Sequence, residues 1–97
     1  MTVQEPNLAR AHVIVSGRVQ GVGFRAFVQI QAANSELDGW VRNCPDGTVE
    51  TEVEGDRVAI HGFLEQIRKG PTLSRVETIQ VDWKEPNRQT KGFLVLR

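Results

Sequence analysis

Three glycines fall within the seven residues Gly17-Arg-Val-Gln-Gly-Val-Gly23, and they separate two segments of different hydrophobic period. Before them, Ala11-His-Val-Ile-Val-Ser16 sets Ala11, Val13 and Val15 on one face and Ile14 between His12 and Ser16 on the other, the pattern of a well-buried strand. After them, Phe24, Phe27, Val28, Ile30, Ala32 and Ala33 make a broad apolar surface at helical spacing up to about Asn34. The chain must therefore pass from strand to helix through a turn stripped of side-chain bulk.

The next connection fixes the direction of two more strands. Leu37-Asp-Gly-Trp-Val-Arg-Asn43 centres on Trp40 and Val41, and Cys44-Pro-Asp-Gly47 behind it is a turn in which Gly47 can take positive φ. Thr48 to Glu54 then alternates, with Val49, Thr51 and Val53 facing inward and Thr48, Glu50, Glu52 and Glu54 facing water. This predicts an antiparallel hairpin with one wet face. Asp56 is a candidate N-cap for a second helix, which carries Ile60, Phe63, Leu64 and Ile67 at i, i+3, i+4 and i+7 and ends at Lys69-Gly70-Pro71. A strand is expected from about Val76 to Trp83 and a short last one over Phe93–Leu96. The order βαββαβ, with two helices to cover one side, predicts an α+β fold: a ferredoxin-like two-layer sandwich with an antiparallel sheet and both helices on one face.

Ninety-seven residues suit one domain, and a chain of this size buries roughly 60–70% of its unfolded surface. The domain is expected over residues 10–97, after a short loose tail at residues 1–9. Twelve Lys and Arg balance twelve Asp and Glu, which disfavours binding to nucleic acid by counterion release. An aromatic content of 6% is also low for a sheet that stacks RNA bases. No run approaches the length of a membrane span, and Met1–Arg10 lacks an apolar signal core. Neither nucleic acid nor membrane is an expected partner. Cys44 is the single cysteine, which excludes an intrachain disulfide, a CxxC redox pair and a cysteine-rich zinc site and makes the cytoplasm the expected compartment.

Gly21 and Gly23 allow successive backbone N–H groups to converge on one point, where the following helix aims the positive end of its dipole. An anion of phosphate size fits there. Arg25, in the first helical turn, can reach two oxygens of that anion with its planar guanidinium. Gly21-Val-Gly-Phe-Arg-Ala26 also satisfies the GxGxxA dinucleotide fingerprint. That reading needs a helical crossover where this chain has the tight Pro45-Asp46-Gly47 turn, and two nucleotide-binding halves that a chain this short cannot supply.

With the loop and Gly39-Trp-Val-Arg-Asn43 taken together, the sequence resembles the acylphosphatase family. The matching pieces, in order along the chain, are Val15-Ser-Gly-Arg-Val-Gln-Gly-Val-Gly-Phe-Arg25, Gly39–Asn43, Pro45-Asp-Gly-Thr-Val49, Glu54-Gly55, Gly70-Pro71 and Arg75-Val76. The resemblance implies hydrolysis of the mixed carboxylic–phosphoric anhydride of acyl phosphates, such as carbamoyl phosphate or bisphosphoglycerate, by a monomer without metal or organic cofactor. Inorganic phosphate would be product and inhibitor. By residue match, Arg25 is the phosphate-binding arginine, the backbone of Gln20, Gly21, Val22, Gly23, Phe24 and Arg25 is the cradle, and Asn43 positions the attacking water. A second reading keeps the fold and the anion loop but uses them for non-catalytic anion binding or regulation.

The assignment agrees with the chemistry. A carboxylate is a good leaving group, so the reaction needs charge stabilisation at phosphorus and an oriented water more than a strong general acid. An asparagine carbonyl can accept from water while its amide donates, and it need not titrate. Cys44 stands where members of the family often carry a small hydroxyl residue, so a hydroxyl there cannot restrain Asn43. The first helix also lacks the Leu-Gly-Leu arrangement common before Gly-Trp-Val-Arg-Asn. Of the remaining residues, His12 and His61 are expected to be structural, Trp40 and Trp83 core anchors, Cys44 incidental, and Glu50, Glu52 and Glu54 a solvated face. Asn87–Gly92 is expected to form a mobile loop.

Overall fold

A computed structural model of the chain describes residues 7–97, so residues 1–6 of the expected tail lie outside the described residues, whereas Leu8 and Ala9 are not loose but paired with Asp56 and Gly55. The elements are β1 (Leu8–Arg18), α1 (Phe24–Asn34), β2 (Asp38–Asn43), β3 (Val49–Asp56), α2 (Arg57–Lys69), β4 (Arg75–Lys84) and β5 (Phe93–Val95). The sheet order is β4-β1-β3-β2-β5. β1 pairs antiparallel with both β3 and β4, and β2 pairs antiparallel with β3. This is the ferredoxin-like sandwich predicted from the element order. The wholly antiparallel sheet expected from sequence is refined at one edge, because β5 joins β2 in parallel, Gly39 opposite Phe93 and Val41 opposite Val95.

Strand parity decides what is buried. Ala11, Val13 and Val15 of β1, Val41 of β2, and Val49, Thr51 and Val53 of β3 point to the helices and are fully buried. They meet Val28 and Ala32 of α1 and Ile60, Phe63 and Ile67 of α2, which are also fully buried. Each such large apolar side chain contributes about 1.5–3 kcal/mol of transfer free energy. Among the described residues, no helix is long and apolar enough to cross a membrane.

Helix ends show where local chemistry departs from expectation. Asp56 does occupy the N-cap position of α2, but its side chain makes no capping bond; the Arg57 N–H donates to the Asn7 carbonyl at 2.9 Å instead. α1 ends in a Schellman-type stop, with the Glu36 N–H on the Ala33 carbonyl at 3.1 Å and the Leu37 N–H on the Ala32 carbonyl at 2.9 Å. Glu36 takes a φ of 54° to make it, the left-handed position at which glycine is usual.

The outer face of the sheet is not a solvated strip. Glu54 is only 4% exposed: it accepts from the Arg10 guanidinium at 3.1 Å and from the Asn87 and Arg88 N–H groups at 2.8 and 2.9 Å. Glu52 also pairs with Arg10, and Glu50 takes His12 and Arg42. Those bonds organise the segment expected to be a mobile loop, which is tied down again where the Gly92 N–H donates to Asp38 Oδ1 at 2.8 Å. The tryptophans are not core anchors. Trp40 lies on the outer parity of β2, its ring centroid 6.4 Å from that of His12. Trp83 belongs to the edge strand β4, with the Arg57 guanidinium 4.3 Å from its ring centroid and the His61 ring at 5.2 Å.

Candidate active site

The site begins at a break in strand pairing. The register between β1 and β4 shifts between Ser16 and Gly17. A Cβ at Gly17, whose φ is 124°, would collide with the Arg75 carbonyl. The chain then drops Val19 into the core, where it is 1% exposed, and crosses to α1 through Gly21 and Gly23, with φ values of 72° and 76°. These left-handed residues leave donors free: among the described residues, the N–H groups of Gly21 to Arg25 have no acceptor within the protein, and the first turn bond runs from Phe27 N–H to the Gly23 carbonyl at 3.1 Å. Phe24, buried to 2% exposure, anchors the helix start and turns Arg25 outward.

Arg25 is held from a distant part of the chain. One guanidinium nitrogen donates to the Leu96 carbonyl at 2.9 Å, and the Leu96 N–H donates to the Val41 carbonyl at 2.8 Å. The residue after β5 thus links Arg25 to β2, two residues before Asn43.

Asn43 ends β2 opposite Val49. The turn behind it closes through Gly47 N–H to the Cys44 carbonyl at 3.1 Å and Cys44 N–H to the Thr48 carbonyl at 2.9 Å. Asp46 reinforces it by accepting from the Thr48 hydroxyl at 2.6 Å and the Thr48 N–H at 3.0 Å. These bonds, the hydroxyl foremost, hold the Asp46 carboxyl below its ordinary value. Among the described residues, Asn43 Oδ1 is the buried side-chain polar atom that lacks a hydrogen-bond partner. A buried unpaired acceptor costs about 1–3 kcal/mol, so it points to a function that uses it.

Arg25 and Asn43 share one open pocket of about 870 Å³, and Gly21, Gly23 and Phe24 line it with them. Gln20 and Val22 do not. Val22 packs against the core, and the Gln20 side chain reaches the β2–β3 turn. Sequence reasoning did not single out Val19, Ala26, Gln29, Val95 and Arg97, which also line the pocket. Gln29 follows Arg25 by four residues on α1 and was recoverable from helical spacing. Val95 and Arg97 arrive through the parallel β2–β5 pairing, which has no local signal.

Across the sheet, Cys44 Sγ lies 3.8 Å from Glu50 Oε1. Burial pushes the Glu50 carboxyl up, and hydrogen bonds from His12 and Arg42 outweigh it, so the net shift is downward. Among the described residues, no cluster of three or more His, Cys, Asp or Glu could hold a metal ion.

A ferredoxin-like sandwich whose glycine loop, arginine and asparagine line one pocket has the donors to hold an anion there, and the chain has close relatives of known family. The acylphosphatase family model matches residues 11–95. An acylphosphatase of Roseiflexus sp. (strain RS-1) is 43% identical over 90 residues, covering 93% of this chain and 97% of that protein. One from Chlorobaculum tepidum is 48% identical over 87 residues, 90% of this chain and 95% of that protein. The crystal structure of acylphosphatase from Bacillus subtilis superposes with a TM-score of 0.89 at 39% identity, covering 92% of this chain and 99% of that one. The chain belongs to the acylphosphatase family and is an enzyme of that class, a hydrolase.

Proposed function

We propose that the protein hydrolyses the carboxyl–phosphate anhydride of acyl phosphates, with the phosphoryl group on the free N–H groups of Gly21 to Arg25 and on the Arg25 guanidinium, and with water held by Asn43. The observation that carries the reading is that Asn43 lines the same pocket as Arg25 and the loop glycines, and that its buried Oδ1 has no hydrogen-bond partner among the described residues. Oδ1 accepts one O–H of the water and directs its oxygen lone pair at phosphorus. The new P–O bond forms as the P–O bond to the acyl group breaks, and the carboxylate leaves with that electron pair. The water proton passes to a phosphoryl oxygen of the substrate, so no enzyme base is required. Arg25 and the loop amides stabilise the charge on the equatorial oxygens, the term that dominates phosphoryl transfer.

The protein acts as a cytoplasmic monomer and without a metal ion in this proposal. The test is turnover of acetyl phosphate by the purified protein in the presence of a chelator. Hydrolysis that survives chelation, with inorganic phosphate as a competitive inhibitor, is expected. Phosphate binding without turnover would instead establish a non-catalytic anion-binding module.

A further inference from the structure

We propose that Gln20 is a positioning residue for Asn43, acting through its side-chain amide. Asn43 has no bond from Oδ1 to hold it, and the next residue, Cys44, offers no hydroxyl. Its placement therefore depends on the turn that follows. Gln20 Nε2 donates to the Cys44 carbonyl at 2.8 Å and to the Thr48 carbonyl at 2.8 Å. These two carbonyls already close the turn by accepting from Gly47 and Cys44 N–H, and each has a second lone pair for the Gln20 amide.

Both N–H bonds of one carboxamide are thus used to span the base of the turn. Because Gln20 directly precedes Gly21, the same residue belongs to the phosphate loop. One side chain joins the surface that holds phosphorus to the strand end that holds water, and a shift between them breaks both bonds at once. A displacement of about 1 Å at a reacting centre can lower a rate by about 10²-fold. The inference rests on the reading that Asn43 orients water.

The experiment replaces Gln20 by Met, which keeps the length and removes the donors, and by Glu, which is isosteric but cannot donate when ionised. Both variants are expected to lower kcat for acetyl phosphate by about 10- to 100-fold, the range set by a displacement of about 1 Å or less. The inhibition constant for inorganic phosphate should change by less than about threefold, since Arg25 and the loop amides remain. Q20E, and not Q20M, should recover part of its kcat as the pH falls and its carboxyl gains a proton to donate. In an Asn43→Ala background Q20M should change kcat by less than about twofold, because the two groups act as a unit.

Equal losses in the two backgrounds, or a phosphate constant that rises in step with the loss of kcat, would overturn the proposal. Hydrogen exchange at the Cys44 N–H reads the clamp independently of turnover. Q20M should accelerate that exchange by about tenfold or more, as expected for a local opening made easier. Unchanged exchange refutes the clamp whatever the activity, whereas accelerated exchange in a protein without acyl phosphate turnover would locate the failure in the proposed reaction.

Discussion

Asn43→Leu separates the cost of a functional group from its use. Leucine nearly reproduces the branched shape of asparagine, so the substitution removes both polar atoms without opening a cavity of the kind that makes truncation expensive. The wild-type Oδ1 is buried without a partner, a condition worth about 1–3 kcal/mol against the fold. The lower limit of that range, about 1 kcal/mol, is a conservative figure for the gain on removing it. For a domain of 97 residues, 1 kcal/mol corresponds to about 4–8 °C in Tm. Asn43→Leu should therefore melt about 4 °C or more above the wild type while kcat falls by about 10²–10³-fold, the loss typical of one preorganised polar group. Thermal denaturation by circular dichroism and acyl phosphate turnover on the same preparation measure both. A variant that melts lower and turns over slowly would mean that Asn43 is structural, and one that retains kcat would mean that Oδ1 is idle.

Four other outcomes are expected. Arg25→Gln removes a charge-assisted contact worth about 1.5–3 kcal/mol and should raise the phosphate inhibition constant by about 10- to 100-fold; an unchanged constant would remove Arg25 from the anion site. Glu54→Ala strips a buried carboxylate from Arg10 and from the Asn87 and Arg88 amides. It should lower the urea-unfolding free energy by about 3 kcal/mol, the low end for a broken buried pair because Glu52 still faces Arg10, and a loss below about 1 kcal/mol would contradict the buried pairing. Glu36→Gly relieves the left-handed φ of 54° and should stabilise the fold by about 0.5–1 kcal/mol after the entropy of glycine is charged against it, so a fall in Tm would be evidence against that strain. Glu50 and Glu54 have carboxyls lowered on balance: burial raises each, and hydrogen bonds from His12 and Arg42, or from Asn87, Arg10 and Arg88, outweigh it. Their stability contribution is complete above the unfolded value of about 4.3 and is lost as the pH falls through the lower folded values, so a urea midpoint that rises on acidification below pH ~4.3 would refute the assignment.

The architecture was readable wherever side-chain period and turn chemistry agreed. Ala11, Val13 and Val15, the Val49–Val53 alternation and the Ile60–Ile67 stripe are all buried as their periods require. Alternation gives a face but not the company on it. Glu50, Glu52 and Glu54 were correctly placed away from the helices, yet their partners Arg10, His12, Arg42 and Lys84 come from three other strands, and only the sheet order brings them together. Trp83 misled for a related reason, since a strand cannot reveal from its own residues that it will stand at an edge.

The site divides along the same line. Arg25, Gly21, Gly23 and Phe24 are neighbours in sequence, and their local pattern led directly to the pocket they line. Asn43 required the family resemblance, because an asparagine before a turn has an ordinary explanation in turn chemistry. The side-chain role of Gln20 lay beyond either signal: its two acceptors are main-chain carbonyls, which any residue could supply, and their position depends on the folded hairpin.

The pairing of charges by sheet face also explains how a chain with equal numbers of acidic and basic residues can attract an anion. Among the described residues, the side-chain ion pairs join Arg10, Arg42 and Lys84 to Glu50, Glu52 and Glu54 on the helix-free face, where His12 also hydrogen-bonds to Glu50. Arg25 and Arg97, which line the pocket, enter none of these pairs; Arg25 bonds to a neutral carbonyl instead. A carboxylate in the place of Leu96 O would have fixed the guanidinium just as well, but it would have cancelled the charge and competed with the substrate. Holding Arg25 by a carbonyl orients it while leaving its field available to the loop, whose free N–H groups point to the same requirement. The balance of the whole chain is thus the sum of a compensated outer face and a locally positive pocket, and the local field is the one an approaching anion meets.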